Sequence, residues 1–418
     1  MNERHDVDSL FSWVICLSAG LFFFYEFLQL NLFDVLNPIL RHELNLNASK
    51  VSMLSSAFIW ANTLFLIPAG ILLDRFSVKK IILLTLLLCI LGILLIFISH
   101  SLFLMYLGRF LTGIGNAFCF VACVILISRW FSQEKKGLVV GITVTLAFIG
   151  GLLAHTPFAY LLKIISWRVA LLCDLIVGVV IFLWLLYWIE DAPKGFCKAK
   201  EDSAKPFIKK FFAVVKRPQI YLAGCYTALL NLPILVFCAL WGISYLKIEY
   251  ALSTIAASNI VSGLFFGSLI GCPLLGYLSD KQGKRKPIMW LGIIGTALTL
   301  LLIIFINLHI PALLFLLFVS LGFFSAAQVL SYPLLAEINP PSQVGEATAI
   351  ASCIIMGSGA WAQILFAFLV ELKRGNEVSA YLKTDFQYAV WIFPSAILLA
   401  AIVLSKIKET NCKQYGES

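Results

Sequence analysis

The sequence predicts an all-α polytopic membrane protein: twelve transmembrane helices in two pseudo-symmetric bundles of six. Three observations lead there. Of 418 residues, 61% are hydrophobic and 13% charged, and the mean hydropathy is +0.95; soluble chains carry about twice that share of charge. A bilayer-spanning helix needs about 20 apolar residues, so twelve need ~240, which the hydrophobic fraction supplies. A loop pattern also recurs half a chain apart. This composition excludes a disordered chain, a disulfide-stapled secreted domain and an ordinary soluble enzyme.

Apolar windows of spanning length fall at 12–36, 50–73, 81–99, 102–127, 137–162, 168–189, 219–246, 254–278, 288–308, 311–335, 346–370 and 386–406. The first follows a polar segment, Met1 to Leu10, and is too long for a cleavable signal. No small-residue cleavage site follows it, so it reads as a retained span. Short polar turns such as "DRFSVKK" (74–80) and "SDKQGKRKP" (279–287) separate most windows. One connection is long and Lys-rich, with Pro193, Pro206 and Pro218. It predicts an N-terminal bundle over 1–189, a linker over 190–218 and a C-terminal bundle over 219–418.

With the N-terminus inside, the inner segments hold 22 of the 31 Lys and Arg, and the outer ones hold eight. That asymmetry places both termini in the cytoplasm. It also accounts for the net charge of +9 through membrane lipid headgroups, with no nucleic acid involved. Nearly all of the eleven cysteines lie inside apolar windows, and no CxxC pair occurs. They read as small core hydrophobes, with no metal site.

The recurring loop gives the internal repeat. "GILLDRFSVKK" places Gly70, Asp74 and Arg75 after the second window, and "GYLSDKQGKRK" places Gly276, Asp280 and Arg285 after the eighth. Asp74 and Asp280 are 206 residues apart. Two halves in the same orientation are parallel repeats, the arrangement that supports rocking transport. Gly70 and Gly276 would let helices approach closely. Asp74 and Asp280 would bond backbone donors at a neighbouring helix N-terminus, a conformational latch. Positive-inside topology alone would explain the basic residues, but not the Gly-to-Asp spacing.

These loops, together with Arg109-x-x-x-Gly113-x-Gly115 in the fourth window, resemble the signature of the major facilitator superfamily over the whole chain. The resemblance implies that superfamily's fold and a transport role, and it attaches Arg109 to coupling. More narrowly, "SWVICLSAGLFFFYEFLQLNLF" and "YPLLAEINPPSQVGEATA" (332–349) are similar to the proteobacterial intraphagosomal amino-acid (Pht-like) transporters. That implies import of amino acids or nucleosides across a bacterial inner membrane.

Ionisable residues inside spans are costly and are functional candidates. Glu26 lies 14 residues past Ser12, about 21 Å up the first helix, and Arg109 lies six residues past Phe103, about 9 Å from the outer boundary. An unpaired carboxylate at such depth tends to hold a proton, and a nearby guanidinium favours its release. Glu26 is the candidate proton acceptor and Arg109 its partner; the competing reading has each satisfied locally by backbone and hydroxyl groups. Asp34, eight residues on, is either hydrated at the outer mouth or a relay. Asp174 and His155 are placed near the outer interface, His155 as a solvated residue.

Candidate substrate contacts are Tyr25, Gln29 and Asn116 in the first half and Asn231, Asn259, Gln328, Trp361 and Gln363 in the second. Neutral amides and aromatics suit a small amphiphile such as an amino acid or nucleoside. Of "FFFY" (22–25), at most two residues should reach a pocket, because four consecutive residues surround a helix. A polyanion would need more buried cations than Arg109. Proton-driven efflux of a drug or metabolite, or a non-transporting receptor of the same fold, stay as rivals. No P-loop, HExxH or GxSxG occurs, so neither an enzyme nor direct ATP drive is expected. No cofactor is expected, with the proton gradient as energy source, and the protein is expected to work as a monomer.

Overall fold

The computed structural model describes residues 8–131, 133–193, 214–305, 310–340, 343–372 and 381–413, and every regular element among them is helical. Eleven helices are long and apolar enough to cross a bilayer, or twelve when one bent pair counts as a single span. The twelve-helix expectation holds. The described chain groups into two compact units, Met1–Leu36 with Ala57–Lys200, and Asn37–Ser56 with Glu201–Ser418.

The first unit is built from α1 (Leu10–Leu44) and α2 (Ala48–Arg75), both of which run on past its boundary, then α3 (Val78–Ile98), α4 (Leu102–Trp130), α5 (Gln133–Leu153), α6 (Thr156–Ile164) and α7 (Trp167–Trp188). Serines start two of these helices, by satisfying backbone donors that lack an intrahelical acceptor. Ser77 accepts from Lys80 N, and Ser166 accepts from Val169 N. The fifth window is interrupted at Ala154 and His155, where Pro157 restarts the helix at its first turn. α3 packs on α4 and α7. Ile15, Cys16, Phe22, Cys89, Phe118, Cys119, Cys123 and Trp130 form much of the core. These cysteines are free thiols that pack as hydrophobes.

The second unit contains α8 (Pro218–Leu230), α9 (Pro233–Trp241, π-helical), α10 (Gly242–Glu249), α11 (Thr254–Gln282), α12 (Lys286–Phe305), α13 (Pro311–Ser325), α14 (Ser331–Ile338), α15 (Val344–Glu371), α16 (Lys383–Ala389) and α17 (Ile392–Lys406). α8 and the run from Pro233 to Glu249 meet at 42°. Pro233 explains the break: it has no N–H to give and crowds the preceding turn. Asn231 O then accepts from both Ile234 N and Leu235 N at 3.1 Å. Gly283, at φ 63°, ends α11 in the left-handed conformation that glycine adopts without strain.

The segment 37–56 belongs to the second unit although it lies early in the chain. Asn37 Nδ2 donates to Leu240 O at 2.7 Å, Trp241 Nε1 donates to Ser52 Oγ at 3.2 Å, and Ser49 N donates to a Glu371 carboxylate oxygen at 2.9 Å. The Arg41 guanidinium lies 3.3 Å from the centroid of the Tyr381 ring. The first apolar window stops at 36, before Asn37-Pro38, yet α1 continues through Pro38 to Leu44. Proline removes one ladder bond without ending the helix here.

Candidate functional site

The first unit buries a polar cluster around Glu26, on α1. Glu26 and Arg109 are both fully buried, and Asp174 is 7% exposed. Neither carboxylate oxygen of Glu26 receives a hydrogen bond from an N–H or O–H group among the described residues. The Cys89 thiol, a weak donor on α3, faces it, and Arg109 lies within electrostatic range. Gly115 makes the room: a Cβ there would fall well inside van der Waals contact distance of Glu26 Oε1.

Arg109 is held from three sides. Its Nη1 donates to Gln29 O at 3.0 Å, and its guanidinium lies 3.9 Å from the Phe33 ring centroid and 4.6 Å from that of Phe58. Such cation–π contacts strengthen where water is excluded. Its Nε and Nη2 have no hydrogen-bond partner among the described residues. Gly113, four residues on, lets α4 press against the backbone of Phe58. The motif therefore combines a cation, a helix contact and space for an acid.

Asp174 corrects one expectation. It is not at a wet interface: Gln29 Nε2 donates to its Oδ2 at 2.7 Å, and Tyr25 OH donates to its backbone oxygen at 3.1 Å. Gln29 thereby touches both Asp174 and Arg109. His155 is likewise not at a solvent-facing surface but fully buried, with Nδ1 3.8 Å from Oδ2 of Asp34, which is fully buried too instead of open at an outer mouth. Asp174 and His155 each sit close to a window end, where depth along the helix does not tell a buried side chain from an outward one. Asn116 is half-buried, and its backbone oxygen accepts from the Cys119 thiol. Within "FFFY", Phe22 and Tyr25 are fully buried, and the backbone of Phe24 lies against Gly150.

The second unit places its amides at the helix break. Gln328 Nε2 donates to Asn231 Oδ1 at 3.3 Å, and Thr227 Oγ1 donates to Gln328 O at 3.1 Å and bonds Ser331. Gln363 Nε2 donates to Leu235 O at 2.8 Å, in the turn that Pro233 disturbs. Two candidates are exposed. Trp361, two residues from buried Gln363, is 63% exposed, and Asn259 is on an exposed face of α11. Helical periodicity explains both, since a neighbour at 200° points away from the core.

The repeated loops show a different chemistry from the expected one. Among the described residues, a Cβ at Gly70 or Gly276 would meet no atom within 4 Å, so neither glycine mediates close approach among them. That contact comes from others, such as Gly92 against Gly108 O and Gly267 against Val319 O. The Asp74 side chain lies outside the described residues, and Arg75 is exposed. In the first unit Asp191, just past α7, takes the helix-capping role: its Oδ1 accepts from Lys79 N at 2.7 Å. In the second, Glu409, just past α17, accepts from Arg285 N at 2.9 Å and Lys286 N at 2.8 Å.

Asp280 instead accepts from the Arg285 side chain at 2.5 Å, and Arg285 reaches Glu337 at 2.6 Å. Burial opposes the Arg285 charge, but Glu337 and Asp280 more than offset it and raise its pKa above the ordinary value. Burial also opposes the charge on Glu409; the backbone donors of Arg285, Lys286, Asn411 and Thr410 outweigh it and hold its carboxyl below the usual range.

Known proteins match this architecture. The chain is 29% identical over 203 residues to the uncharacterized transporter YybO of Bacillus subtilis, covering 47% of this chain and 46% of that one. It is 24% identical over 196 residues to the probable sulfoacetate transporter SauU of Cupriavidus necator, covering 46% and 44%. It is also 21% identical over 276 residues to the hexuronate transporter of Bacillus subtilis, covering 63% and 64%. The chain thus spans about half the length of the first two of these relatives.

Among solved structures, a D-xylose-proton symporter superposes with a TM-score of 0.76 at 17% identity, covering 96% of this chain and 99% of that one. A bacterial homologue of the human lysosomal transporter Spinster gives 0.74 at 15% identity, with 95% of each covered. At such identities these likenesses show the fold. The family model of the Major Facilitator Superfamily matches residues 16–256 and 235–411, nearly the whole described chain, and the protein belongs to that superfamily.

Proposed function

We propose that this protein is a secondary active transporter of the bacterial inner membrane, with both termini in the cytoplasm, that takes up a small amphiphilic nutrient by proton-coupled alternating access. One observation carries the reading. Glu26 is a fully buried acid whose oxygens, among the described residues, lack N–H and O–H donors, within electrostatic range of an arginine whose Nε and Nη2 have no partner among them. A carboxyl so placed can exchange its proton for the arginine when the helices shift. Glu26 is the proton acceptor and Arg109 its conformation-dependent partner. Family membership and the transporter names of the relatives support the general activity.

A zwitterion or neutral solute, an amino acid or nucleoside, is the substrate class that this charge balance supports. One solved structure in the same fold is titled a nucleoside transporter. The sulfoacetate and hexuronate relatives instead favour an organic anion as a second reading. Against that reading, Arg109 already faces the buried acid Glu26, and a second buried acid, Asp174, shares its Gln29 neighbour, so the unit has no cation to spare. The amides at the break in the second unit offer donors and acceptors without net charge.

Uptake of labelled amino acids, nucleosides and monocarboxylates into proteoliposomes, with and without an imposed proton gradient, tests this. A gradient should drive uphill uptake of a neutral or zwitterionic solute, and Glu26→Gln should flatten its pH dependence. Unchanged pH dependence removes Glu26 from the mechanism. Uphill accumulation without any proton gradient removes proton coupling, and gradient-driven expulsion would establish the efflux alternative.

A further inference from the structure

The coupling site contains more acid than Glu26. Asp174, on α7, is bonded through Gln29 to the same guanidinium that Glu26 faces: Gln29 Nε2 donates to Asp174 Oδ2 at 2.7 Å, and Gln29 O accepts from Arg109 Nη1 at 3.0 Å. Tyr25 OH fixes the backbone at Asp174, and a Cβ at Gly178 would collide with that hydroxyl. The position of Asp174 is therefore set by the packing of α1 against α7. Its carboxyl is also within electrostatic range of Glu26.

The charges can be counted. Among the described residues, Tyr25 from α1 and Cys89 from α3 face both acids, and Arg109 and Cys119 from α4 face Glu26. Farther along α1, Asp34 faces His155 instead. Thiols and phenols are neutral at physiological pH, so one cation opposes two acids. With both acids ionised, the cluster would hold an uncompensated negative charge in an apolar setting, which is strongly unfavourable. One proton removes that charge.

We propose that Asp174 is the second carboxyl of the coupling site, so that Glu26 and Asp174 hold a single proton between them against the one charge of Arg109, with Gln29 as the bridge. This rests on the proton-coupled reading above and deepens it. The proton has two resting places, one on α1 and one on α7. Its position decides which acid Arg109 neutralises, and Gln29 passes that choice between the helices.

Infrared difference spectroscopy of the full chain in liposomes reads this without any substrate. The C=O stretch of a protonated carboxyl is compared between wild type and each variant, which cancels other buried acids such as Asp34 and Asp385. At neutral pH, Glu26→Gln and Asp174→Asn should each abolish the same band, because the remaining acid and Arg109 then balance. A band that survives Asp174→Asn but not Glu26→Gln overturns the proposal. If Asp174→Asn does not fold, Arg109→Gln reads the same balance: a doubled band supports the shared proton, and an unchanged band overturns it. Uptake measured on the same vesicles separates the two readings, since the expected bands without proton-driven uptake sink the transport reading and leave the shared proton standing.

Discussion

Gly115 shows what a single absent methyl does. The Glu26 carboxyl occupies the space that an alanine Cβ would take. Gly115→Ala should therefore destabilise the protein by about 1–3 kcal/mol through overpacking, visible as a lower Tm in thermal denaturation. The double variant Gly115→Ala with Glu26→Ala should recover most of that loss, because the colliding atoms are gone. A coupling of about 0.5 kcal/mol or more between the two changes would be the signature of direct contact. Gly70, by contrast, meets no described atom within 4 Å, so Gly70→Ala should leave Tm nearly unchanged despite its place in the repeated loop. Among glycines in motifs, what each touches decides its worth.

At the scale of helices, both units cap their third spanning helix with an acid that follows their sixth. Asp191 caps α3 and Glu409 caps α12. Glu409→Gln should lower stability by about 0.5–2 kcal/mol, the usual range for a lost helix cap, toward the low end because the site is partly solvated. The pH sign follows from its lowered carboxyl pKa. The stabilisation is complete above the ordinary carboxylate range and is lost as pH falls through the lowered value. Melting curves of wild type and Glu409→Gln should thus differ at neutral pH and converge in acid.

Spans, repeat and buried Glu26–Arg109 region were legible in the sequence because hydropathy and charge report directly on lipid. The caps were not. Asp191 and Glu409 sit in polar tails where an acid has no local pattern to mark it, and only the returning chain brings them to a helix start. Asp174 escaped because distance along a helix does not reveal which neighbour the residue meets, and Gln29 supplies the answer from another helix. The exposure of Trp361 and Asn259 had no marker either, because α11 and α15 are apolar around most of their circumference.

At the scale of the whole molecule, chain order and compact units disagree at one place. Residues 37–56 are encoded within the first six helices yet grouped with the second unit, through Asn37 to Leu240, Ser52 to Trp241 and Ser49 to Glu371. A polypeptide started at the linker would lack those partners: the Leu240 carbonyl and the Trp241 indole would lose their bonds in a nonpolar setting, each at about 1–3 kcal/mol. Expressed alone, such a C-terminal fragment should be degraded. Co-expressed with a fragment ending in the linker, it should accumulate, as quantitative immunoblotting of membranes would read. The early hairpin then behaves as an intramolecular chaperone, made first and waiting for the later half to be synthesised around it.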